Sequence, residues 1–553
     1  MGRIGSFWVG WTLWGAMAGL GVGGEEAQVQ GPRLSEEAFF AEVVNLSLPE
    51  LQEVRAAVER RDWGAARRAY VAYLKRREKP RWFFDWRAKP KPEERPPNPD
   101  TRTADDALRH RFTIGGIPHQ FGEGIDWTYN PTTQPGSPHP RDNEWTWQFN
   151  RHGFWVSLGR AYWDTGQERY AEEFVRQMMD WVRKNPVPAQ GADQQPFSRW
   201  RTIEAGIRMA HTWPYAFFYC LSSPAFTEEA IVTMVRSMVE HARYLMAHPT
   251  GGNWLTMEMN GLYHVGALFP ELKEAETWRT FAAQRLRREL EAQVYPDGAQ
   301  FELTPGYHNV ALSNFVGLVR IAQLNGYPLP EGYLENLERM YAYNLWLMTP
   351  DRDIPPFNDS WRADVPRILR EGHEFFPHRQ DFLWVATEGK EGRPPDHTSH
   401  AFPYAGFLVQ RSDWSREARY LILDAGPFGA GHQHEDKLSF MLMAYGKRFV
   451  VDAGSYAYDA SQWRRYVLSP YGHNLVFVDG WGQHRSGARE TYITRGPVPC
   501  VWRTAKGYDY AQASYGSEHE GWGPQRRWLA AHTRRVLFVK EGPGKDFWVI
   551  ADT

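Results

Sequence analysis

The sequence predicts a multidomain α+β chain, with a helical toroid or bundle first and an antiparallel β-domain, built as a sandwich, after it. Three observations carry this. From about residue 144 to 380, apolar side chains recur three and four apart in helix-length stretches separated by Pro- and Gly-containing breaks. After about Phe402 the period drops to two, in short β-branched and aromatic runs punctuated by Gly turns. A chain of 553 residues also exceeds what one ordinary core holds.

The elements follow in order. At the N-terminus, MGRIGSFWVGWTLWGAMAGLGVGGEEAQ sets Arg3 before an apolar stretch from Ile4 to Val22, followed by small residues and then acids. That is the layout of a secretory signal peptide, assigned to residues 1–24. The mature protein is therefore expected to be secreted or periplasmic, with no stable membrane insertion. Residues 25–105 form an N-terminal segment, amphipathic helix over 34–77 and then a Pro-, Lys- and Glu-rich strap over 79–105. Residues 106–400 make the helical domain, with helices expected at 169–184, 203–221, 227–246, 255–269, 278–294 and 310–325. Residues 401–553 make the β-domain, with strands at 405–410, 419–424, 448–452, 474–479 and 535–540. The final stretch 546–553 reads as a strand without a further partner, so the sheet is expected to continue in a longer protein.

Composition narrows the function. With 64 Lys+Arg against 66 Asp+Glu, the chain lacks the global basic charge of a nucleic-acid binder. The 26 Trp and 26 Tyr pack the interior for the most part, but such a surplus also suits stacking against sugar rings. Two cysteines, Cys220 and Cys500, exclude a disulfide framework and a thiolate zinc site, so a metal would need His, Asp or Glu ligands.

Four clusters can carry chemistry. They are Asn150-Arg151-His152; Gly252-Asn253-Trp254 heading a helix with Glu258 and His264; Tyr295 to His308, which holds Glu302 and Tyr307; and GHQHEDKLSF at 431–440 with Asp452, Tyr466 and His473 beyond it. Each has a plainer reading. Asn253 would serve as a helix N-cap, Asp297-Gly298 as a turn, Tyr307-His308 as a packed aromatic pair, and Asp452-Ala-Gly454 as a strand-ending turn.

Together, in this order, GNWLTMEMNGLYHVGALFPE, DGAQFELTPGYH and GHQHEDKLSF…VVDAGSYAYD…GHNLVFVDG resemble the heparinase II/III family of polysaccharide lyases, from about Glu144 to the end. The resemblance implies an N-terminal (α/α) toroid, a C-terminal antiparallel β-sandwich and an active cleft between them. It implies β-elimination on an acidic polysaccharide containing uronic acid: heparin or heparan sulfate, alginate, or an exopolysaccharide. Such a reaction needs a donor to neutralise the uronate carboxylate, a base for the C5 proton and an acid for the leaving oxygen. The resemblance gives these roles to Asn253 as neutraliser, Tyr307 as base or acid, and His432 as the cleft histidine of the β-domain. Arg151, His152, Trp254, His308 and Tyr466 are the expected substrate contacts. Several relatives carry a histidine where this chain has Trp254, which leaves the base open among His432, Tyr307 and His152.

The resemblance also places a structural zinc at His434, Asp452 and His473, a suitable ligand set with water in the fourth place, and no organic cofactor. His432 and His434 would share a face on a regular strand. One serving the cleft and the other a metal therefore requires a bulge or turn before Leu438. Three other readings compete. His432-x-His434-x-Asp436 resembles the metallo-β-lactamase motif, but Lys437 stands where that motif continues with histidine. A glycoside hydrolase would pair Glu258 with Glu302 across the cleft. A non-catalytic secreted protein would bind acidic glycans without cleaving them.

Overall fold

A computed structural model describes residues 34–189, 191–193, 195–488, 491–542 and 544–553; the expected signal peptide lies outside them. Among the described residues no helix is long and apolar enough to cross a membrane. The helical part comes first and antiparallel sheets follow, the toroid-plus-sandwich architecture.

The expected helices form within a few residues of their predicted limits: Glu168–Lys184, Glu228–Ala247, Gly252–Leu268, Ala275–Gln293 and Pro305–Asn325. The exception is 203–221, which divides into Thr202–Ile207, a π-turn Arg208–Thr212, and Trp213–Cys220. Pro214 explains the break. It lacks an N–H and its ring crowds the carbonyl four residues back, and one wide turn accommodates both defects. Gly252–Leu268 is the central helix, buried at every position except Trp254. It lies so close to its neighbour that a Cβ on Gly206 would stand 2.5 Å from the Met257 carbonyl oxygen.

The N-terminal segment joins this same core. Tyr70 donates to the buried carboxylate of Glu271 at 2.8 Å and Arg77 pairs with it at 2.6 Å. The strap is pinned by Trp82, stacked on Phe218 at 5.3 Å, and by Arg95, which donates to the Thr165 carbonyl at 2.9 Å.

In the β-domain, His400–Ala401, Phe407–Arg411, Tyr420–Asp424, Phe440–Ala444 and Lys447–Val450 form a five-stranded antiparallel sheet in chain order. A four-stranded sheet runs Phe547–Asp552, His532–Val539, Tyr508–Tyr515, Cys500–Thr504. One face of the first sheet (Leu408, Leu421, Leu423) packs with Ala511, Ala513 and Val536 of the second. Its other face (Phe407, Val409, Ile422, Met441) packs with Tyr343, Leu347 and Phe357 of the helical part. Burial on both faces is why these central strands read as unbroken apolar runs. Asp297 ties the two parts together by accepting the Tyr404 and Ala405 backbone N–H groups at 2.7 and 2.9 Å.

The expected strand at 474–479 does not form. Asn474 donates its side-chain amide to the carbonyls of Phe440 (3.0 Å) and Val451 (2.7 Å), leaving one bridge, Val478 with Trp481. The break required within 431–438 is present: His432 has φ 61° and Leu438 φ 70°, and the strand starts only at Phe440.

Candidate active site

A cleft of about 550 Å³ opens where the helical part meets the loop 425–439, and Asn253, Trp254, Tyr307, His432 and Arg151 all line it. Asn253 is not the N-cap of its helix. Gly251 is, and Asn253 sits one residue inside the first turn. Its Nδ2 lies 3.3 Å from both carboxylate oxygens of Glu302, while its Oδ1 is buried without a partner.

The Tyr307-His308 pair splits. Both open the helix Pro305–Asn325, but successive side chains on a helix point about 100° apart. Tyr307 turns to the cleft. His308 turns inward against Tyr343, with its Nε2 on the Met340 carbonyl at 3.0 Å and burial pushing its imidazole down to about 3. The groove contact expected of His308 is thus replaced by a packing role.

His152 is corrected the same way. It has φ 60°, is fully buried, stacks on Trp155 at 3.9 Å, and accepts from the Trp213 indole N–H at 3.0 Å. Burial, with Arg208 and His241 nearby, holds it well below the ordinary histidine range. Only its neighbour Arg151 reaches the cleft, so His152 is no longer a candidate base. Tyr466 is 44% exposed and stands outside the cleft lining.

Around Tyr307 the β-domain supplies a polar cluster. The His432 ring lies parallel to the Tyr307 ring, centroids 3.5 Å apart. Tyr458 Oη is 2.9 Å from Tyr307 Oη and 2.9 Å from His432 Nδ1, and it donates to Asp359 Oδ2 at 3.0 Å. Asp359 is the hub. Burial alone would raise its carboxyl, but hydrogen bonds from Arg464, His432 and His434 outweigh that and keep it ionised well below the usual range. Burial pushes the Tyr307 phenol up to about 12. With its Nδ1 held by Asp359 and Tyr458, His432 keeps Nε2 as its free nitrogen.

Sequence reasoning misses Asp359, Tyr458 and Arg464. Asp359 sits in a stretch, Asn358-Asp359-Ser360, that reads as a turn, and in 450–459 the residue the motif singles out is Asp452, not Tyr458. The opposite wall carries Arg151 and Arg201, which share the buried Glu204 at 3.0 and 2.7 Å. Arg201 also lies over the Trp147 ring at 3.5 Å and the Trp254 ring at 4.9 Å. The carboxylate pair a hydrolase needs is not assembled, because Glu258 is buried away from the cleft, capping Thr250 N and Oγ1 at 2.8 and 2.7 Å.

Behind the cleft, His434 and His473 lie 5.3 Å apart, ring to ring, and Asp452 is 2.7 Å from His473 Nδ1. His434 Nε2 faces Asp359 at 3.1 Å and His473 Nε2 the Val467 carbonyl at 3.0 Å. With each Nε2 engaged, the Nδ1 of His434 is buried with no partner, while that of His473 is held by Asp452. Among the described residues, no three His, Cys, Asp or Glu side chains are arranged to hold a metal ion as they stand. Glu435 and Asp436 bind Arg485 instead, through its backbone N–H at 2.9 and 2.8 Å and its Nη2 at 3.1 Å.

Comparison with known proteins agrees with this architecture. Residues 39–384 match the family model for the heparinase II/III N-terminus, and residues 394–553 match that for the heparinase II/III-like C-terminal region. A heparin-sulfate lyase of Bacteroides stercoris is 33% identical over 408 residues, 69% of this chain and 60% of that protein. A heparin-sulfate lyase of Pedobacter heparinus is 30% identical over 531 residues, 92% of this chain and 74% of the relative. A solved heparinase III structure superposes with TM-score 0.69 at 28% identity, covering 95% of this chain and 79% of that one. The chain spans about 60% of the length of the first of these relatives.

Proposed function

This chain belongs to the heparinase II/III family, and from that premise we propose that it is a polysaccharide lyase that cleaves a heparin- or heparan-sulfate-like glycosaminoglycan by β-elimination. The observation that carries the reading is the convergence of Tyr307, His432 and Tyr458 opposite Asn253 in one cleft. That is the inventory a uronate elimination requires: an amide donor for the carboxylate, a base and an acid, with no paired carboxylates across the cleft. The names of the relatives favour heparan sulfate over alginate.

In this reading the Asn253 amide hydrogen-bonds the uronate carboxylate, a bond that strengthens as charge spreads from C5. His432, its Nδ1 anchored by Asp359, takes the C5 proton at Nε2. Tyr307, whose phenol keeps its proton at neutral pH, donates it to the departing glycosidic oxygen. The excess proton on His432 then returns to Tyr307 through Tyr458, whose Oη takes a proton from His432 Nδ1 as it passes one to Tyr307 Oη. Arg151, Arg201 and Trp254 hold the chain against the opposite wall.

His434, Asp452 and His473 suit a structural zinc, since each histidine presents Nδ1 and already anchors its Nε2. When bound, the ion would cross-link the loop 431–438 to the segments at 452 and 473. For a polymer substrate outside the cell, the apolar segment 4–22 would act as the export signal.

The test is a panel of acidic polysaccharides followed by ultraviolet absorbance. Heparan sulfate should yield an absorbing unsaturated sugar end; reducing ends without that absorbance would mean hydrolysis, and binding without either would mean a glycan-binding protein.

A further inference from the structure

Glu302 bonds the cleft amide Asn253 but has no part in the elimination, and its surroundings are unusual. It is 7% exposed. Among the described residues, the titratable group whose positive charge would lower it is His432 from the β-domain loop, and the side chain bonded to its carboxyl is Asn253. The other titratable group facing it is Tyr307, from the helix that follows it. The Glu302 backbone is held by bonds to its carbonyl from Thr304 Oγ1 (3.1 Å) and Gln433 Nε2.

As it stands, Nδ2 of Asn253 is aimed at this carboxyl and Oδ1 has no partner. An ionised carboxyl accepts hydrogen bonds only, whereas a protonated one also donates. A uronate arriving on the other side of the amide adds a second negative charge, and two carboxylates sharing one amide are unfavourable unless one takes a proton. The amide is close to isosteric under a half-turn, which exchanges Oδ1 and Nδ2 without displacing other atoms.

We propose that Glu302 is a positioning residue that binds substrate-linked proton: on uronate binding it becomes a carboxylic acid, donates its O–H to Oδ1 of Asn253, and so turns both amide N–H groups toward the uronate. The proton comes from solvent, no covalent bond changes, and the acid-to-amide-to-carboxylate chain makes the amide a stronger donor through hydrogen-bond cooperativity. A carboxylic acid kept neutral by an apolar site is an effective donor at neutral pH, and burial does push this carboxyl up. The inference rests on the lyase reading, in which Asn253 meets the uronate.

Two measurements test it. In turnover of heparan sulfate, Glu302→Ala should lower kcat about a hundredfold or more with a smaller change in KM, and Glu302→Gln, whose amide can donate to Oδ1 permanently, should restore most of it. Glu302→Gln as inactive as Glu302→Ala, or Glu302→Ala equal to the parent, overturns the proposal. For binding, calorimetry of the Tyr307→Phe protein with heparan sulfate, in buffers of different ionisation enthalpy, should show uptake of up to about one proton per site. Adding Glu302→Gln should abolish that uptake, as should heparan sulfate whose uronate carboxyls have been reduced; uptake that persists with Glu302→Gln overturns the proposal. Parent protein that binds heparan sulfate without forming unsaturated product sinks the lyase reading separately, and the binding arm still decides the role of Glu302.

Discussion

The rings of Tyr307 and His432 lie parallel, 3.5 Å apart with 9° between their planes, although one comes from the helical part and the other from a left-handed turn of the β-domain. The stack places an acid and a base side by side, so removing one hydroxyl should separate chemistry from packing. Tyr307→Phe keeps the ring and the stack but loses the Oη contact to Tyr458. We expect kcat to fall by about a hundred- to ten-thousand-fold with KM and Tm nearly unchanged. Initial rates of ultraviolet absorbance and a thermal melt check this, and a variant that turns over normally removes Tyr307 from the reaction.

The pH profile follows from the same phenol. Burial pushes Tyr307 up to about 12, against the ordinary tyrosine value of roughly 10. If it works as the acid, it stays competent throughout the neutral and mildly alkaline range, and any fall in kcat between pH 7 and 9 must come from another group. Stability has the opposite dependence. The folded protein holds this proton where the unfolded chain has lost it, so its contribution is complete below about pH 10 and declines as pH rises toward 12. An alkaline limb of kcat that shifts when Tyr307 is replaced by Phe, but lies below pH 9 in the parent, would contradict this.

Asp359 should matter to the fold as well as to the cleft. It is fully buried and paired with Arg464, while also receiving His432, His434 and Tyr458. Asp359→Asn leaves the guanidinium of Arg464, 13% exposed, without its carboxylate. Breaking a buried pair from one side costs about 3 kcal/mol or more. Urea unfolding should show that loss, and Arg464→Leu added to Asp359→Asn should recover part of it. A single variant as stable as the parent would mean the pair is solvated in solution.

Much of this was legible in the sequence where the signal is local and periodic. The helices from Glu168 to Asn325 and the central strands announced themselves by apolar spacing. The break at 208–212 did not, because Pro214 reads as a helix start and a π-turn has no spacing of its own. Of the expected cleft residues, Asn253, Trp254, Tyr307, His432 and Arg151 meet in one place, drawn from separate stretches. His152 and His308 do not: a helical rotation separates His308 from Tyr307 and a left-handed turn separates His152 from Arg151, and motif spacing encodes neither. Asp359 and Tyr458 were invisible for a different reason: each is an ordinary turn residue until the β-domain folds back over Tyr307.

The loop 431–438 is the last place where sequence and structure can be tested against each other. His432 and His434 diverge because His432 adopts a left-handed backbone that a regular strand would forbid, and something must hold that strained turn in place. Asp359 does so from the helical side, touching both histidines. A zinc on the Nδ1 atoms of His434 and His473 with Asp452 would hold it from the other. Purified protein should then carry about one zinc per chain, and dialysis against a chelator should lower Tm by several degrees, since an ion bound only by the folded state stabilises it by mass action. His473→Ala should lose the metal and melt at the lower temperature with or without chelator. Because no reacting atom is bound to the ion in this reading, activity should fall only as the turn loosens, and restored zinc should return both together. Metal-free protein with an unchanged melting curve would instead leave Asp359 alone to hold the turn.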